Sequence, residues 1–126
     1  MSDFSMNGVG SVSVVTMPLD KATKTAIGEK TDNAKGKAVA LVGNNTVGYG
    51  ADGDALFGII EKAEKDGYAS IQVKGFACKV TADAAAIGKY AAVDGAGGVK
   101  SAADGVVSNG LITAYDDTAK AADIYM

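Results

Sequence analysis

The chain has no arginine, no histidine and no tryptophan, and only one cysteine and one proline in 126 residues. Each absence removes a class of chemistry. Without arginine there is no planar fork to grip a phosphate, carboxylate or guanine at two points. Without histidine the usual proton acceptor near neutral pH is missing, so neither a Ser-His-Asp nor a Cys-His arrangement can be built. Cys78 alone cannot close a disulfide within the chain, and cysteine-rich zinc sites are excluded. It stands in "GFACKVT", where Phe76, Cys78 and Val80 alternate with Ala77, Lys79 and Thr81. That pattern predicts a thiol on the apolar face of a strand, acting as a small buried hydrophobe.

Positive charge is also short. Twelve lysines against fifteen acidic residues leave a net charge of -3, the wrong sign for gripping a nucleic-acid backbone. No stretch approaches the roughly 20 apolar residues of a membrane-spanning helix. The start, "MSDFSMNGVGSVSVVTM", lacks the basic opening and unbroken apolar run of a signal peptide. The expectation is a soluble protein with no visible export signal and neither nucleic acid nor membrane as a partner.

What is present is small and apolar. Residues of hydrophobic type make up 48% of the chain, but 23 of them are alanine, and Val, Ile, Leu and Phe together number only 27. Such a composition predicts one domain with a thin core, helped by contacts with other chains.

Along the chain, residues 1–17 read as an N-terminal arm or a first strand. "SVSVVTM" alternates as a strand does and is stopped by Pro18. Residues 18–35 are Lys/Thr-rich with one large aliphatic, Ile27, and read as a surface loop with at most a helical turn. From Gly36 to Met126, short apolar runs alternate with glycine turns, the pattern of an all-β sandwich or small barrel. The best helical candidate is "TADAAAIG", Thr81 to Gly88, a turn or two long.

This β-domain contains an internal repeat. Gly36–Gly67 aligns with Gly88–Ala119, with ten of the 32 pairs identical, among them Val47/Val99, Asp52/Asp104, Gly53/Gly105, Gly58/Gly110 and Ile60/Ile112. One inserted residue later, Ala69 and Ile71 meet Ala122 and Ile124. A duplicated β-unit is the economical explanation. It also bears on Asp52 and Asp54, which invite a calcium reading. Asp-Gly recurs in both copies, as a tight turn requires, but Asp54 is matched by Val106, and Glu61 falls short of the twelfth loop position. These aspartates are expected to turn the chain. Gly58 and Gly110, inside apolar strands, are expected to mark a bend or a close backbone approach.

No catalytic pattern emerges. The glycines of "GVGSVSV" and "GAGGV" lack the strand-loop-helix setting of a dinucleotide site, and a carboxylate pair would want an aromatic-lined cleft. The expectation is a non-enzyme without metal or cofactor.

The order "KAVALVG", "DALFGIIEKAEKDGYASIQVKGFACKV", "IGKYAAVDGAGGV" and "NGLITAYDDTAKAADIYM" resembles the capsid cement, or head decoration, proteins of tailed bacteriophages. The resemblance covers about Gly36 to Met126. It implies a β-tulip-like domain on the outer surface of a virion, bound to the major capsid protein as a homotrimer near three-fold or quasi-three-fold positions and stabilising the shell. Residues 1–35 are not covered by it. Within them Phe4, Met6, Val9, Val12 and Val14 are the candidate capsid-binding residues, able to add a strand to an exposed capsid edge. The sequence leaves open whether they form such an arm or the first strand of the domain. The rival readings are a head–tail joining or tail-tube subunit, and a small ligand-binding β-barrel.

Overall fold

The computed structural model describes residues 13–126. Its strands are β1 (Ser13–Pro18), β2 (Ala38–Gly43), β3 (Thr46–Gly48), β4 (Gly58–Ala63), β5 (Tyr68–Lys74), β6 (Phe76–Thr81), β7 (Ala91–Val93), β8 (Val99–Ser101), β9 (Leu111–Asp116) and β10 (Ala121–Tyr125). The fold is all-β, with antiparallel sheets that do not close into a barrel. A helix, α1 (Lys21–Ile27), and a short 3-10 helix, Thr31–Ala34, lie between β1 and β2.

Those helices occupy the stretch expected as a loop. Asp20 caps α1, its Oδ1 accepting from the Thr23 backbone N–H at 3.1 Å. Gly28, at φ 69°, ends it by donating to the Lys24 carbonyl. The single large aliphatic suffices because a helix of seven residues needs only a narrow anchor. Ile27 and Ala34 are buried, and the Thr23 hydroxyl accepts from the Tyr49 backbone N–H at 2.9 Å. Conversely, Thr81 to Gly88 forms no helix. Thr81 ends β6, and Ala82 stays in the sheet through a parallel bridge to Val99 and a bond from its N–H to the Lys120 carbonyl. Tertiary pairing overrides the helix propensity of the alanines.

The strand around Cys78 also departs from expectation. Ala77 pairs with Ile124 and Val80 with Ala122, so Cys78 and Lys79 share one partner, Asp123. This is a β-bulge: Lys79 adopts φ 57° and its N–H donates to Asp123 Oδ1 at 3.1 Å. The extra residue breaks the alternation, so Ala77 and Val80 point inward while Phe76 and Cys78 are exposed. The buried-thiol expectation is overturned.

The duplication is larger than the sequence indicates. The first sheet runs β1-β5-β4-β2-β3. In the second half, β6-β10-β9 continues into β7-β8 through a bridge between Tyr90 and Leu111, giving the same order. The registers coincide residue by residue. Ala40 faces Gly48 as Ala92 faces Lys100, and Ile60 faces Ile71 as Ile112 faces Ile124. One bulge matches as well: Glu61 is skipped between β4 and β5, and Thr113 between β9 and β10, whereas the bulge at Cys78–Lys79 has no counterpart in β1. Leu19 bridges Val47 just as Ala82 bridges Val99, which makes β1 the counterpart of β6. The described residues therefore contain two copies of one five-stranded unit, and the β-domain begins before Gly36.

The two interiors are filled differently. In the first unit Leu19, Val39, Val47, Ile60, Ala69 and Ile71 pack with Ile27 and Ala34 of the helical insert. In the second, their counterparts Ala82, Ala91, Val99, Ile112, Ala122 and Ile124 pack instead with Ala38, Ala40, Leu56 and Ile59 of the first unit. Gly110 permits this proximity between the units, and Gly58 permits the close approach of β4 to β5 within the first. A Cβ at Gly58 would lie 2.5 Å from the Gln72 carbonyl oxygen, and one at Gly110 would lie 2.6 Å from Leu56 Cδ2.

Candidate interaction surface

The conspicuous acidic stretch serves the backbone. Asp54 Oδ2 accepts from the Ala51 N–H at 2.9 Å, Gly53 sits at φ 98°, and Asp52 pairs with Lys100 Nζ at 3.0 Å. Gly105 takes φ 87° in the equivalent turn. Among the described residues, no three potential ligands from His, Cys, Asp and Glu gather as they would around a metal ion.

A second polar group ties the β9–β10 turn. The Tyr115 hydroxyl shares its one proton between the Asp83 carbonyl at 2.7 Å and Asp117 Oδ1 at 3.2 Å, while Lys120 Nζ meets Asp117 Oδ1 at 2.9 Å. Hydrogen bonds from Lys120 and Tyr115 hold the Asp117 carboxyl below its ordinary range. The Asp117 carboxylate in turn raises Lys120. Partial burial, together with the bond to Asp117, raises Tyr115. This cluster positions a turn; its charges are exposed and mutually satisfied.

Two surface features remain that are not explained by folding alone. The first is the edge strand β1. Among the described residues it pairs with β5 only, and Val14 and Val15 are exposed on it. Its sequence, "SVVTMP", carries no charge, whereas the equivalent strand β6 carries Lys79 at its bulge. Edge strands are usually protected by charge, bulges, proline or covering loops; β1 has a register irregularity between Ser13 and Val14 and ends in Pro18, but between them the exposed Val14 and Val15 have no charge beside them. Of the candidate capsid-binding residues, Val14 therefore belongs to a strand of the domain, while Phe4, Met6, Val9 and Val12 lie outside the described residues.

The second feature is a row of large side chains across the outer face of the second unit. Phe76 pairs with Tyr125, Tyr125 with Leu111, and Leu111 with Tyr90, so all four project from the same side of the sheet. They are 50%, 51%, 37% and 43% exposed, respectively, and the Phe76 and Tyr125 rings stand 5.0 Å apart. Sequence reasoning missed this row. The signal for it is the repeat itself: where the second copy has Tyr125 and Tyr90, the first has Gln72 and Ala38. No known family model, curated protein or solved structure matches the chain.

Proposed function

We propose that this chain is a virion structural protein that binds the outer surface of an assembled capsid and cements neighbouring major capsid protein subunits. It works by binding alone, with no enzymatic step. The observation that carries the reading is the uncharged, exposed edge of β1, with Val14 and Val15 on it, placed directly after the apolar residues Phe4, Met6, Val9 and Val12 in the chain. An extended segment of a capsid subunit can pair with such an edge through backbone hydrogen bonds, with alternate side chains giving specificity. The sequence resemblance to capsid cement proteins supports the same reading, and three copies grouped about a three-fold position belong to it. Each bound copy adds to shell stability by mass action.

Co-sedimentation of the full-length protein with undecorated capsids tests the reading. Saturable binding at a fixed ratio to capsid subunits is expected, lost when Val14 and Val15 are both replaced by lysine. A full-length protein that stays in the supernatant overturns it. Decorated shells should also hold their DNA to a higher temperature than stripped ones.

A further inference from the structure

We propose that the row Phe76–Tyr125–Leu111–Tyr90 is a self-association surface, which pairs with the same row of a second copy of this chain across a two-fold axis. The duplication shows that this face is one the unit covers, and the composition of the row makes it self-complementary. In the first unit the equivalent row is Val14–Gln72–Ile59–Ala38, joined by the same strand pairings. Three of those four residues, Gln72, Ile59 and Ala38, are buried, and Ile59 and Ala38 pack into the core of the second unit. This position in the fold is thus already covered once within the molecule, there by the interior residues of the other unit. In the second unit, no further repeat among the described residues covers it. The residues there are not those of a solvent face: the small and polar Ala38 and Gln72 are replaced by Tyr90 and Tyr125.

The row is also self-complementary. It contains no ionisable carboxylate or ammonium, so two copies meet without opposing like charges within the contact. Aromatic residues at both of its ends, with Tyr125 and Leu111 between them, allow apolar groups to face apolar groups whichever way the second row runs. An isologous contact needs only such a patch. Four side chains exposing about half of their area contribute roughly 350 Å² per copy, taking about 200 Å² for each large residue. A stable dimer commonly buries about 800 Å² per partner. The association is therefore weak in dilute solution and becomes populated wherever copies are held close together. Because each chain carries a net charge of -3, added salt strengthens it. The pairing does not depend on the capsid reading, and it differs from a three-fold grouping in symmetry.

Sedimentation equilibrium of the full-length protein from about 10 µM to 1 mM tests this. The expected result is a monomer–dimer equilibrium that tightens with salt. It should weaken at least tenfold in a Leu111→Thr, Tyr125→Ser variant and stay unchanged in Leu41→Thr, an exposed apolar residue outside the row. Thr and Ser suit an exposed strand, and circular dichroism of each variant confirms that the fold is retained. A wild-type protein that remains monomeric at 1 mM overturns the proposal, as does a row variant that dimerises normally or a wild-type trimer that the row variant abolishes. If removal of residues 2–11 converts a monomer into a dimer, the row is covered by the chain's own N-terminal segment, and the proposal fails for the intact protein.

Discussion

Ile59 and Leu111 hold the same place in two copies of one unit, yet Ile59 is 5% exposed and Leu111 37%. The difference comes from the neighbour that each copy has in space. The second unit covers Ile59, and nothing among the described residues covers Leu111 to the same degree. Truncating them should therefore have unequal effects. Ile59→Ala is expected to cost about 2–5 kcal/mol, through lost burial and the cavity left behind. Leu111→Ala should cost under about 1 kcal/mol in the monomer. Chemical denaturation measured below 10 µM checks both values.

The glycines divide by cause. Gly58→Ala drives a Cβ onto the Gln72 carbonyl oxygen, a backbone atom of the adjacent strand, so the sheet itself must shift. Gly53 and Gly105 have nothing within 4 Å and only a positive φ to lose. Substituting alanine at Gly53 or Gly105 should cost about 1 kcal/mol, the usual penalty of that backbone region. Gly58→Ala should cost more than either, and thermal melts of the three variants give the order.

Asp20 is expected to be worth more than its exposed neighbours. Asp20→Ala removes the cap of α1 and should lower stability by about 1 kcal/mol. The helix brings Ile27 into the first core, so Ile27→Asp should unfold the chain rather than merely fray the helix. Circular dichroism separates the two outcomes.

The turn cluster predicts a small pH dependence with a definite sign. The Asp117 carboxyl is lower in the folded protein than its ordinary value of 3.8, so its contribution is present above that value and fades as pH falls through the folded one. Lys120 and Tyr115 are raised above 10.5 and 10.0, so theirs is present below those values and fades as pH rises through the folded ones. Asp117→Asn should flatten the acid limb and reduce the alkaline one. Melting temperatures followed from pH 2 to 11 test this.

Calcium should have no effect. Asp52 and Asp54 are engaged with Lys100 and with their own turn, so millimolar calcium is expected to leave the melting temperature unchanged. A rise of several degrees would restore the cation reading.

Much of this fold was legible in the chain. The Asp-Gly turns and the repeat from Gly36 emerged from spacing alone. The equivalence of β1 and β6 did not, because "SVVTMP" and "FACKVT" share no identical residue in register. Only the bridges of Leu19 to Val47 and Ala82 to Val99 reveal it. The bulge at Cys78–Lys79 was hidden for a related reason: one extra residue reverses a period-two pattern without altering composition. The repeat marks Tyr90 and Tyr125 as departures from the first copy, but only the topology brings them into line with Phe76 and Leu111.

The unequal filling of the two interiors gives the chain a direction. The first unit finds Ile27 and Ala34 between its own strands, whereas the second needs Leu56 and Ile59 from its predecessor. The dependence is not one-sided, since Leu56 and Ile59 of the first unit find their own cover only against Val99, Ile112 and Ile124 of the second. The half that is made first therefore carries an uncovered apolar face until the half made last arrives to close it.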